Sequence, residues 1–423
     1  MPRLTQLNRR PLNRCIWRTL ALCVTASIST SSCNNNGAPQ GPPPAPTATQ
    51  IALPMAAVHT LTLTVWQSQQ LQLEQAIQAA TVLQRSVSAL LADPNTTTLQ
   101  NAQQRWQQLA LSIEPLAILG ALAATQRQDQ LPNSPLQPQL KNTANWSTIS
   151  LYHGYIAAWP AELGFLDNNG TQGNTGLIFN LDIMLNEETL KDRHRQTDQQ
   201  EAALGLYPLG LMLHGAQTPR QVSQLHAVTA LTPKHESLGL REISEHPHNR
   251  RRQLIAQQTQ ALRHHLMQLK SQLFKRDSQS ALNAFSQQTV AQQQAALAQA
   301  AQQLSAQQLQ ELTQYHNDDL PLWQQHWQYQ RLQAQLTGLE LWLSLLGYNP
   351  QASLCQNLLR LLASHISALS TDMTPSAHRA QDTQVDSDHA PVTSDNTALR
   401  QQLAELTVAL RQAARMPAPN TTK

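Results

Sequence analysis

Val58–Leu91, VHTLTLTVWQSQQLQLEQAIQAATVLQRSVSALL, decides the fold class. Its apolar residues Leu61, Val65, Leu71, Ile77, Leu83, Val87, Leu90 and Leu91 recur at spacings mostly near three, four and six, the period of one helix face. Asp93-Pro94-Asn95 stops the run, and Thr97 or Thr98 can cap the next helix. That helix carries Ala102, Trp106, Leu109, Ile113 and Leu116 and extends to about Thr125. Pro115 inside it lacks a backbone donor and predicts a kink or break.

The same period returns along the chain. A strong helix starts near Pro247, with Leu254, Ala261, Leu262, Leu266, Leu269 and Leu273 as its stripe. Leu282–Leu304 is an Ala/Gln helix, and Leu309–Tyr315 continues it or forms a further turn. Leu320–Leu346 is long and amphipathic and ends at Asn349-Pro350. Ala352–Leu369 and Asn396–Ala413 complete the set. A weak helix is predicted around Ile178–Leu185 and a short one over Gln199–Leu213, bent at Pro208. No strand pattern competes, so the expected fold is all-α, two successive antiparallel helical bundles over about 56–275 and 276–415.

Composition agrees. Charged residues are 13% of the 423, against a globular norm of roughly 25%, and Gln with Ala and Leu replaces them. These are good helix formers, while 4% aromatic content and few β-branched runs disfavour a large sheet. The formal charge is only +3, and part of it lies in Arg3, Arg9, Arg10, Arg14 and Arg18. No basic stripe with interleaved aromatics exists, which argues against nucleic acid as a partner. Arg250-Arg251-Arg252 reads as a solvated helix face.

Residues 1–33 read as an export signal: arginines, an apolar stretch near Thr19–Ile28, then Ser31-Ser32-Cys33. The pattern resembles a bacterial lipoprotein signal, with Thr30 where Leu is usual, and Cys33 would be the lipidated residue. Membrane attachment through that lipid is the expectation, facing the periplasm from the outer membrane because Asn34 is not the retaining Asp. Residues 34–55, rich in Asn, Gly and Pro, form a tether, and 416–423 a tail. Cys355, in a Leu-rich segment, reads as a small buried hydrophobe with no disulfide partner in the mature chain.

One short segment carries the functional question. Gly205–Gly215, GLYPLGLMLHG, resembles the signature of the imelysin family, Gly-x-His-x-x-Glu followed by an apolar run and a closing Gly. Ile156-Ala157-Ala158-Trp159-Pro160 with Gly164-Phe165-Leu166-Asp167 is similar to that family's Trp-Pro … Gly-Phe-Ile-Asp loop, and Trp106 and Asn249-Arg250-Arg251-Arg252 also fit. The resemblance covers about 56–415 and implies two four-helix bundles, a cell-envelope location and a part in iron handling, with iron as cargo.

The departures define the expected chemistry. Tyr207 stands at the His position and Gly210 at the Glu position. A His and a Glu three apart share a helix face and can share a metal or a proton; Tyr and Gly cannot do so in the same way. Tyr207 is therefore expected to pack with a bonded hydroxyl, and Gly210, with Gly205 and Gly215, to permit close helix approach. Weak metal candidates are His214, one turn past Gly210, and Glu245, His246 and His248 around Pro247; each has a plainer reading as a helix-end or helix-start residue. Asp167 reads as a solvated loop carboxylate and Trp159 as a loop anchor. The His-Glu-x-x-His pattern is absent, so no catalytic residue is assigned despite the family's peptidase naming. The expected function is a non-enzymatic binding lipoprotein linked to iron acquisition, working with an envelope protein partner. The alternatives are a ligand-free helical scaffold and, more distantly, a peptidase.

Overall fold

A computed structural model describes residues 55–128, 152–159, 161–167, 175–198, 200–215, 218–274, 281–314, 322–345, 349–373 and 397–415. Cys33, the signal, residues 34–54 of the tether, Pro160 and the tail lie outside these residues, and Met55, counted into the tether, already opens the first helix. The described part is helical and contains no β-strand, as the sequence period requires.

Helix α1 spans Met55–Ala92 and α2 Thr96–Ile113. The buried face of α1 runs Leu73, Ala76, Ala80, Leu83, Val87 and Leu90, an unbroken three-four spacing, with Val65 and Trp66 ahead of it. Leu71, counted into the predicted stripe, is 57% exposed. The N-cap of α2 is Asn95 rather than a threonine. Its Oδ1 accepts from Thr98 N at 3.0 Å, and Thr98 Oγ1 accepts from Asn95 N at 3.1 Å. Pro115 breaks the helix as predicted: a 3₁₀ turn, Glu114–Leu116, separates α2 from α3 (Ala117–Gln128).

Short helices α4 (Leu163–Leu166) and α5 (Glu187–Arg193) lead to α6 (Leu206–His214) and α7 (Pro233–Ser237). The predicted helix at Ile178–Leu185 does not form. Four carbonyls there, of Leu177, Ile178, Asn180 and Ile183, accept from the Arg250 guanidinium at 2.7–2.9 Å instead. Helix α6 is shorter than expected. Gly205, with φ of 115°, caps it and Pro208 falls in its first turn, where a missing N–H costs no helical bond.

Helix α8 (Pro247–Phe274) opens on proline, as its sequence indicates. Next come α9 (Ala281–Ser286), α10 (Val290–Gln314), α11 (Leu322–Leu345), α12 (Asn349–Met373) and α13 (Thr397–Arg415). Asn349-Pro350 begins α12, three residues ahead of the predicted start at Ala352.

Helices α1, α2 and α8 pack together, with α6 held between α2 and α8. Helix α11 pairs with α12, and α10 with α13. The turn at Glu114–Leu116 joins these groups. It sends α3 along α10 and lays itself against α11, where Gly338 leaves room for Pro115. The buried apolar residues of both groups form one continuous core. Cys355 lies in it, its thiol pushed up to about 12 by burial, consistent with a packing role.

Candidate functional site

Two buried polar clusters hold the segments that the sequence singles out. The first is built on Asp167. Its side chain is fully buried, contrary to the solvated reading. Arg251 Nε and Arg220 Nη1 donate to its Oδ2 at 2.7 and 2.8 Å, and Arg251 Nη2 donates to Oδ1 at 2.8 Å. Burial opposes ionisation of Asp167, but Arg251 and Arg220 outweigh it and hold the carboxyl below its usual range. The basic run is likewise not a solvated face. Arg250 and Arg251 are buried, and Arg252 donates to Leu225 O and Leu91 O at 2.7 and 2.6 Å. The cluster fixes the Gly-Phe-Leu-Asp loop onto α8.

The second cluster lies at the motif itself. Tyr207 is buried on α6 and its hydroxyl donates to Glu114 Oε1. Glu114 is fully buried; its Oε2 accepts from Gln335 Nε2 at 2.5 Å and lies 3.4 Å from Arg331 Nε. Tyr207 packs edge-on against Trp159, ring centroids 4.7 Å apart. The Arg331 guanidinium stands over both rings, 5.4 Å from Trp159 and 5.5 Å from Tyr207. Trp159 thus anchors its loop, as expected, and also forms part of the site.

Gly210 is explained by Trp106. A Cβ at 210 would come within 2.4 Å of Trp106 Cζ2. The indole fills the space beside Gly210 and its Nε1 donates to Leu206 O at 2.7 Å. Restoring a glutamate at 210 therefore requires a smaller residue at 106. Gly210→Ala is expected to lower stability by about 1–3 kcal/mol, the usual cost of overpacking. Chemical denaturation reads it out, and an unchanged midpoint would mean that the indole moves aside freely.

His214 is drawn into the same aromatic group, stacked on Trp323 at 4.6 Å and edge-on to Trp106 at 5.2 Å. Burial pushes its pKa down to about 4. The other proposed ligands lie elsewhere. Glu245 Oε2 accepts from the backbone N–H groups of Arg241 and Glu242, and the His246 ring meets those of His235 and His248 edge-on at 4.7 and 4.8 Å. Burial, then His248, His235 and Arg251, hold His246 down at about 4. No group of three or more His, Cys, Asp and Glu is placed to hold a metal among the described residues.

Two further histidines are buried beside Tyr155. His194 donates through Nε2 to Gly154 O at 2.6 Å while Nδ1 accepts from Leu204 N at 3.1 Å, which fixes a neutral ring. Burial lowers it to about 4. His265, fully buried, is also lowered to about 4 by burial, with Lys191 reinforcing and Glu187 opposing. Against an unfolded value of about 6.5, His194, His214 and His265 take up protons in the unfolded chain first. Stability is therefore full above about pH 6.5 and falls as pH drops towards 4, by roughly 1–3 kcal/mol per histidine. Denaturant midpoints between pH 7.5 and 4.5 test this, and a flat profile would contradict it.

Beside the Tyr207–Glu114 cluster lies a cavity of about 270 Å³. Ala117 and Ala121 of α3, Ala157 and Trp159 of the loop, Gln303, Leu304 and Gln307 of α10, and Arg331 and Gln335 of α11 line it with Arg195. Arg195 is the one non-glycine residue with positive φ, 55°, among the described residues, a geometry that costs about 1–3 kcal/mol. Its Nη2 donates to Trp159 O at 2.9 Å. A larger, more open hollow of about 420 Å³ is lined by Gly164 and Phe165 of the Gly-Phe-Leu-Asp loop but by no residue of Gly205–Gly215.

Sequence reading missed Glu114, Arg195 and Arg331. Glu114 alone left a signal, as the single charge in the apolar run Leu109–Leu119.

A buried acid, two aromatic rings and a guanidinium thus stand together beside a cavity on an all-helical frame. The sequence profile of the imelysin family, classed as peptidase M75, matches residues 70–315. That is more than half of the chain, and the protein belongs to the imelysin family. Comparison with curated proteins gives no match.

Proposed function

We propose that this protein is a non-enzymatic, small-ligand binding member of the imelysin family, held at the cell envelope by lipidation of Cys33. The observation that carries the binding reading is the cavity beside the Tyr207–Glu114 cluster, lined by residues of both helix groups. The family brings the link to iron acquisition, with transfer to an envelope protein partner. No helix among the described residues is long and apolar enough to cross a membrane.

The donor set does not suit a bare iron cation. The Tyr207 hydroxyl is engaged by Glu114, Gly210 has no donor atom, and Arg331 sits beside the carboxylate. A cation entering there would meet two guanidiniums. Iron would have to arrive inside a complex whose outer charge is negative.

The test takes the full chain through dialysis against Fe(III), Zn(II) and haem, with bound metal assayed afterwards, and an incubation with unstructured peptide substrates. We expect no stoichiometric bare metal and no hydrolysis; turnover abolished by a point change in the site would replace this reading with an enzymatic one. Transcript level under iron starvation checks the iron link, and a flat response removes it.

A further inference from the structure

We propose that the hollow of about 420 Å³ beside Phe165 binds a free α-amino acid with a large apolar side chain. It shares no lining residue with the cavity at Tyr207, so it is a second site and does not rest on the first. Its volume falls within the roughly 300–1,000 Å³ of small-molecule sites. Arg193 and Glu201 line it together with the half-buried rings of Phe165 and Phe179. The two charges are opposite, and neither is spent on the other. The Arg193 guanidinium donates to the neutral Gln196 Oε1 at 3.5 Å, and the Glu201 carboxylate accepts from the neutral Thr197 hydroxyl. A ligand with one charge would answer one of them and leave the other. A zwitterion sets its carboxylate on the guanidinium fork and its ammonium on the acid, and leaves its side chain to the two rings.

The walls are set by bonds that need no ligand. The backbone N–H groups of Leu177 and Ile178 donate to Phe165 O and Leu166 O at 2.9 and 3.1 Å, which joins the two segments that carry the rings. Arg250 holds the carbonyls of Leu177, Ile178, Asn180 and Ile183. At Gly176, with φ of 101°, a Cβ would lie 2.9 Å from Gly164 O, so the segments meet where no side chain fits. On the charged side, His194 follows Arg193 directly, and its two ring nitrogens bond Gly154 O and Leu204 N. The left-handed backbone at Arg195 and its N–H bond to Glu201 O at 2.8 Å fold the chain back, so that Glu201 reaches the same hollow as Arg193. The strained residue thus closes the turn that sets the charge pair. Walls ordered in advance spare the ligand the cost of ordering them.

The experiment is calorimetric titration of the full chain with four probes. These are phenylalanine, phenethylamine (which lacks the carboxylate), 3-phenylpropionate (which lacks the ammonium) and glycine (which lacks the ring). We expect phenylalanine to bind one per chain and each of the others to bind about tenfold or more weakly. Arg193→Gln should bring phenylalanine down to the level of phenethylamine, and Glu201→Gln to that of 3-phenylpropionate. Arg193 is exposed and Glu201 is tied to the fold through its backbone, so both variants keep the structure. Equal binding of the three aromatic probes would overturn recognition by paired charges, and with it the proposal. Glycine binding as tightly as phenylalanine would overturn it through the rings. So would phenylalanine binding that both variants leave intact, or no binding of phenylalanine at all.

Discussion

Asp167→Ala lowers the free energy of unfolding by about 3–5 kcal/mol, because it strands two buried guanidiniums. The carboxylate has no exposure, and three hydrogen bonds of 2.7–2.8 Å tie it to Arg220 and Arg251. Removing the acid leaves Arg251, itself 1% exposed, without its counter-charge in a place that water does not reach. Asp167→Asn keeps one carbonyl acceptor and should cost less than alanine. Because the Asp167 carboxyl titrates below its ordinary value, its contribution is complete at neutral pH and is lost only on strong acidification. Guanidinium denaturation at pH 7 measures the difference. A loss under about 1 kcal/mol would mean that the arginines re-pair or reach solvent, and the loop would not be fixed as described.

The second large effect is expected at Glu114. Glu114→Ala removes the acceptor of Tyr207 and Gln335 together and uncovers Arg331, again about 3–5 kcal/mol for a broken buried charge pair. Glu114→Gln retains the shape and one acceptor oxygen, so its cost should fall between the wild type and alanine. Tyr207→Phe alone should cost about 1–3 kcal/mol, since it leaves a buried carboxylate oxygen short of one donor. The double variant Glu114→Ala/Tyr207→Phe should be less damaging than the sum, with a coupling of about 0.5–3 kcal/mol. Strict additivity would show that Tyr207 and Glu114 act independently and would remove the cluster as a unit.

The helical frame was legible because it depends on a local period. Leu73 to Leu90 on α1 and Leu254 to Leu273 on α8 repeat within a few residues, and Pro115 broke its helix where its missing N–H demands. The prediction failed where long-range partners replace local bonds. Ile178–Leu185 reads as helix, but Arg250, about 70 positions away, takes its carbonyls. Asp167 reads as solvated because its two arginines lie 53 and 84 positions downstream.

The site was half legible for the same reason. Tyr207 and Gly210 were singled out; the Tyr207 hydroxyl is bonded, whereas Gly210 makes room for the Trp106 indole rather than for a neighbouring helix backbone, and Gly205 and Gly215 cap α6 at positive φ. The partner of each was not visible. Glu114 is 93 positions from Tyr207 and 221 from Gln335, and no spacing rule links residues so far apart. Arg195 sits in an ordinary charged stretch, Lys191-Asp192-Arg193-His194-Arg195, and Arg331 on an amphipathic helix among many glutamines. Only the fold brings the two cations to one wall.

The excursion of α3 across to α10 has a consequence for how the chain gains its shape. A polypeptide cut after Phe274 would retain α3, with its buried Leu119 and Leu122, but lose the helix α10 that α3 packs along, and the remainder would lack α3 against α10. Neither fragment is a finished unit. During synthesis the early helices must wait, with that strip still wet, until the last third of the protein arrives to dry it.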